Sequence, residues 1–148
     1  MRNKILPPTY FLMCLACEIG LHFASPIRKI VAFPYSLLAI PLIIFGVGLN
    51  VWADSLFKKH RTTVKPHESP TALVTSGPFR LSRHPMYVGM LAILLGGAIL
   101  LGSVVTFAFP ILFAILMETV LIRLEERNLE ETFGERYLDY RRKVRRWI

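Results

Sequence analysis

Four stretches of the chain are apolar over long runs, and charged or turn-forming residues separate them. The first is Pro8 to Ala24, "PTYFLMCLACEIGLHFA", with proline at its start, where a missing amide costs little, and with Glu18 and His22 as interruptions. The second runs from Pro34 to about Phe57, and the third from Pro85 through "MYVGMLAILLGGAILL" to Leu101. Gly102 and Ser103 then give a very short turn, and the fourth stretch, Val104 to about Leu124, returns antiparallel to the third as a helical hairpin. Runs near 20 residues match the length that crosses roughly 30 Å of hydrocarbon. The pattern predicts an all-α integral membrane protein with about four transmembrane helices, a cytoplasmic loop and a C-terminal helical tail. It reads as one membrane domain over 1–148, organised as an N-terminal helical pair (1–57), a loop (58–84), and a hairpin with its tail (85–148).

Composition agrees with this reading. The 148 residues are 53% hydrophobic, and a mean hydropathy of +0.47 is too apolar for an ordinary soluble domain. Charge changes the picture by fixing orientation. There are 18 Lys and Arg against 10 Asp and Glu, gathered in loops and tail. With the N-terminus in the cytoplasm, Arg2, Lys4, Lys58, Lys59, Arg61, Lys65, Arg80, Arg83 and the basic tail all lie inside; only Arg28 and Lys29 fall outside. Both termini and the "GPFRLSRHPMYVG" stretch (77–89) are thus expected on the cytoplasmic face. The basic excess points to membrane lipid rather than nucleic acid, since no aromatic residues interleave with it as a strand-binding groove requires. Cys14 and Cys17 lack a second Cys or His pair and read as small packing residues, so no metal is expected. The N-terminus reads as retained.

Pro85 is placed to open a helix with His84 as its cap, leaving the amides of Met86 and Tyr87 at the cytoplasmic end beside Arg80 and Arg83. Two readings fit that corner: an anion site at a helix N-terminus, or arginines that hold lipid phosphates. Across the hairpin, Glu118, Ile122, Glu125 and Leu129 follow a 4, 3, 4 spacing that puts them on one helix face. An intramembrane acid such as Glu118 is a functional candidate by default. The tight turn brings Glu125 to the level of His84. Glu126, Glu130 and Glu131 read as a solvated face, while Glu18, Asn50 and Asp54 are candidates to line the same cavity. Cationic donors beside a carboxylate suit a zwitterionic amino-acid headgroup, of which S-adenosylmethionine is one case among several.

"TSGPFRLSRHPMYVG", an apolar hairpin and "LEERNLEETFGERYLDYRRKVRRWI", in that order, resemble the isoprenylcysteine carboxyl methyltransferase family, including its short prokaryotic members, over about Leu73 to Ile148. The resemblance implies a membrane methyltransferase that takes S-adenosyl-L-methionine in its C-terminal half and a lipophilic methyl acceptor from the bilayer. By resemblance, Thr71, Ala72, Leu73, Val74 and Phe79 line the cofactor, His84, Pro85, Met86 and Tyr87 grip it, and Glu125 binds it. Leu121 stands where the family enzyme for prenylated proteins has an arginine, with Arg123 near. His84, Arg123 and Glu118 are the candidates for a catalytic role, and Tyr137, Tyr140 and Arg145 are expected to fold over the nucleotide. The competing readings are an NADPH-dependent, sterol-type membrane reductase and a noncatalytic lipid-binding subunit.

Overall fold

The computed structural model describes residues 6–24, 28–62 and 70–148, so Arg2, Lys4 and Lys65 of the orientation argument lie outside the described residues. Among these, the secondary structure is helical apart from one isolated antiparallel bridge between Lys29 and Ser103. Helix α1 is Pro7–Ala24, α2 Tyr35–Lys59, α3 Pro85–Leu101, α4 Val104–Phe133 and α5 Glu135–Lys143. By length and composition α2 and α4 can cross a membrane, whereas α3 is apolar but only 17 residues long.

Local chemistry sets the ends of these helices. Pro85 occupies the first turn of α3, and Gly102, at φ 71° in the left-handed region, closes it by donating its amide to Ala98 O at 2.8 Å. Gly134 at φ 52° separates α4 from α5. Within α4, Met117–Ile122 forms a π-helical segment. Each such turn holds an extra residue, so the helix face after it is rotated from the face before it. The 4, 3, 4 spacing therefore does not keep Glu118 and Ile122 on the face of Glu125 and Leu129. Ile122 is buried in the core, while Glu125 and Leu129 meet the cavity described below.

Helix α3 is the one on which α1, α2 and α4 all pack. Against α2 the approach is close enough to require small residues: Ala39 and Ala53 are fully buried, and a Cβ on Gly46 would lie 2.8 Å from Ile93 Cγ1. Against α1 and α4 the core is larger, built from Cys14, Met90, Leu94, Phe109, Phe113 and Met117, with Phe11 edge-on to Phe113. Glu18 is fully buried beside Gly97 in this bundle, Asn50 donates to Gly46 O at 2.8 Å, and Asp54 pairs with Lys58 at 2.6 Å. None of the three lines the cavity, contrary to expectation: Glu18 is packed against α3, while Asn50 and Asp54 bond along α2 itself.

At one end of the bundle the segment between α1 and α2 is fastened to the α3–α4 turn. Ile30 N and Val31 N donate to Gly102 O at 2.8 and 3.3 Å, Val104 N donates to Arg28 O at 3.3 Å, and His22 Nδ1 lies 2.7 Å from Ser103 Oγ. The opposite end, where α3 begins, holds the site.

Candidate active site

A short 3-10 turn, Gly77–Arg80, carries Phe79 into a small apolar cluster with Ala53, Val74, Phe57 and Met86. Gly77 adopts φ 60°, and a side chain there would strike Leu56 and Trp52 of α2. Phe57 meets Phe79 edge-on at 5.1 Å, and the Tyr140 hydroxyl donates to Phe79 O at 2.6 Å, tying α5 to the floor. Next to this floor opens a cavity of about 290 Å³. Its wall includes Ala72, Leu73, Val74, Phe79, His84, Pro85, Met86, Tyr87 and Glu125, nine of the ten residues expected to bind the cofactor. The tenth, Thr71, is turned away: its amide donates to Thr62 Oγ1 at 3.1 Å and its hydroxyl to Arg61 O at 3.1 Å.

Glu125 is the one acid on the cavity wall among the described residues. The Tyr87 hydroxyl donates to its Oε1 at 2.5 Å, and His84 Nδ1 lies 3.2 Å from its Oε2. His84 stacks on Tyr87 with ring planes 12° apart. His84 does precede α3, yet its side chain makes no cap bond; it turns toward Glu125 instead. The expected pair of open amides is also modified, because Tyr87 N donates to His84 O at 3.0 Å.

Behind His84 sits Glu126, whose surroundings differ from the solvated face expected of it. Glu126 is not on a solvated face but buried, because the rotation of α4 beyond its π-helical segment turns it toward three cations. Arg83 Nη2 and Nε donate to its Oε1 at 2.6 and 3.1 Å, Arg146 Nε and Nη2 reach its two oxygens at 3.1 and 2.5 Å, and His84 Nε2 stands 3.5 Å from Oε1. A buried carboxylate needs such pairing. Arg83 is thus a protein-internal ligand rather than a lipid-phosphate contact, whereas Arg80 is exposed, as are Glu130 and Glu131. Only the chain-distant partner Arg146, 20 residues on, and Arg83, 43 residues back, distinguish Glu126 from its neighbours.

Two further expectations are corrected. Glu118 lies away from the cavity, accepting from Arg146 Nη1 and, at 3.0 Å, from Trp147 Nε1; Arg123 is exposed in an outer groove with Arg127 and Glu131. Of the proposed lid residues, Tyr140 lines the cavity, Tyr137 is fully buried outside it with its hydroxyl pushed up to about 12, chiefly by burial, and the Arg145 side chain is exposed.

Burial alone would lower the pKa of His84, but the carboxylates of Glu125 and Glu126, 3.2 and 3.5 Å from its ring nitrogens, outweigh it and hold the imidazole above its ordinary value. A raised folded value means that His84 stabilises the fold fully below pH 6.5 and that this contribution is lost as pH rises through the folded value. Melting curves of the protein and of His84→Gln over a pH series should therefore converge on the alkaline side. A gap that stays constant would contradict the imidazolium assignment.

A family model described as phospholipid methyltransferase matches residues 34–136. An uncharacterized protein of Haemophilus influenzae is 38% identical over 63 residues, which cover 43% of this chain and all of that protein. The cobalt-zinc-cadmium resistance protein CzcN of Cupriavidus metallidurans is 44% identical over 73 residues, 49% of this chain and 33% of CzcN. Among solved structures, a eukaryotic intramembrane Ras methyltransferase, isoprenylcysteine carboxyl methyltransferase, shares the fold at a TM-score of 0.71 and 24% identity, over 94% of this chain and 50% of that one. The chain thus spans a third of CzcN and half of the methyltransferase whose fold it shares.

Proposed function

Because the chain belongs to the phospholipid methyltransferase family, we propose that this methyltransferase takes its methyl group from S-adenosylmethionine and passes it to a lipidic or small apolar acceptor at the Glu125 cavity. Residues 85–148 act as the cofactor-binding hairpin and tail, with four helices in the membrane and the cavity mouth at the cytoplasmic face. The observation that carries the reading is the Glu125 carboxylate on a largely apolar wall, held in place there by Tyr87 and His84.

The residues present fit such a cofactor. Ala72, Leu73, Val74 and Phe79 offer an apolar wall for a purine, and Glu125 offers an acceptor for an ammonium or hydroxyl group. The bound sulfonium supplies a methyl group already activated for transfer. What remains for the chain is to bind, orient and exclude water, and the packed floor of Phe57, Phe79 and Tyr140 suits that work. Leu6, Pro7, Pro8 and Met90 add further apolar lining that suits the acceptor. Family membership removes the motive for the reductase and noncatalytic readings.

Purified protein titrated calorimetrically with S-adenosylhomocysteine should show saturable binding, and Glu125→Ala should weaken it about tenfold, the equivalent of one lost charged hydrogen bond. Affinity unchanged in that variant would remove Glu125 from the site. Membranes incubated with methyl-labelled S-adenosylmethionine, then separated into lipid, protein and volatile fractions, identify the acceptor; label in none of them would count against transfer.

A further inference from the structure

Beyond α5 the chain turns extended at Val144 and lies across the Ser82–His84 turn. Arg83 N donates to Arg145 O at 3.0 Å, Ser82 Oγ to Arg146 O at 3.2 Å, and Arg83 Nη1 to Arg141 O and Val144 O, each at 3.1 Å. Trp147 packs against the core of the bundle. These bonds deliver the Arg146 guanidinium into α4, where it joins Glu118, inside the π-helical segment, to Glu126, about one turn beyond it. On this strap Arg146 supplies the hydrogen bonds to Glu126, and Glu126 in turn faces His84 Nε2.

We propose that Arg146 is a positioning residue for the cavity: through Glu126 it fixes His84, and through His84 it fixes the Glu125 carboxylate on the cavity wall. The proposal rests on the reading of that cavity as the cofactor site. The geometry requires a fork. Three guanidinium nitrogens reach two carboxylates, which a planar, five-donor group can do and a single ammonium cannot. The alternative, that Arg146 merely neutralises Glu118, leaves its two bonds to Glu126 without a role. His84 is faced by Glu125 and Glu126 from α4, by Tyr87 from α3 and, beyond Glu126, by Arg83 and Arg146, so the state of its ring reports whether Glu126 is in place.

The test uses the full chain in detergent with histidines labelled by 15N, His84 being assigned by comparison with His84→Gln. Arg146→Gln should shift the His84 nitrogen resonances and weaken S-adenosylhomocysteine binding about tenfold. Arg146→Lys, which keeps the charge and loses the fork, should still shift them and should remain folded if the glutamine variant does not. Arg142→Gln, on an exposed side chain paired with Asp139, should change neither readout. A folded Arg146 variant that melts earlier but keeps wild-type His84 resonances and wild-type affinity would overturn the proposal. If the wild-type protein binds no S-adenosylhomocysteine, the cofactor reading fails, and the His84 resonances decide the role of Arg146 on their own.

Discussion

Replacing Glu126 with alanine should destabilise the protein by about 3–5 kcal/mol, the cost of leaving buried charges without their partner. The side chain is 7% exposed and answers Arg83, which is 8% exposed, as well as Arg146 and His84. Removing it strips Arg83 of the carboxylate it pairs with and leaves Arg146 and His84 to Glu118 and Glu125 alone, so three cationic groups meet with too little countercharge. The measurement is the thermal midpoint in detergent, compared with Glu125→Ala. That second variant should melt well above Glu126→Ala, because Glu125 borders the cavity, where water can take its place beside His84 and Tyr87, while its loss appears in ligand affinity. The two neighbouring glutamates thus separate into one that holds the fold and one that holds the ligand. Equal melting of the two variants would sink this division.

A leucine at Gly89 should cost at least about 3 kcal/mol, the upper part of the range for overpacking. An added Cβ would overlap the Asn50 amide and lie 2.7 Å from Gly46 O, a backbone atom that cannot move without α2 moving with it. The damage would reach the site, since α2 also supplies Phe57 to the cavity floor and Ala53 to the cluster beneath Phe79. Size-exclusion profiles and thermal midpoints of Gly89→Leu and of Gly48→Leu provide the comparison, because a Cβ at Gly48 meets nothing within 4 Å. Similar behaviour of the two variants would mean that α2 and α3 are not pressed together at Gly89.

The sequence makes the helix ends legible because they are written locally. Pro85 and Gly102 bound α3 by their own backbone restrictions, and α3 begins and ends where they stand. The nearness of His84 to Glu125 follows from the same local source, since a two-residue turn pairs the ends of the hairpin. Glu126 was not legible. Its burial depends on a π-helical segment that leaves no mark in hydropathy and on an arginine delivered by the tail. A one-residue widening of α4 suffices to exchange a solvated position for a buried one. The seam between α2 and α3 is written in small residues on one face of each helix: Ala39, Gly46 and Ala53 recur every seven residues, as do Gly89 and Gly96, and small residues at an interface let membrane helices approach closely. Thr71 shows the opposite failure, because a motif assigns its position while hydrogen bonds to Thr62 and Arg61 decide its direction.

The bonds that tie residues 28–31 to Gly102, Ser103 and Val104 have a mechanical meaning. They join the end of α1 and the start of α2 to the α3–α4 turn, so the bundle is pinned at the end remote from the cavity. At the other end Arg83, Glu126 and the tail tie the start of α3 to α4, so the hairpin is fastened at both ends. A guest therefore meets a wall already in place, and little binding energy is lost in ordering it.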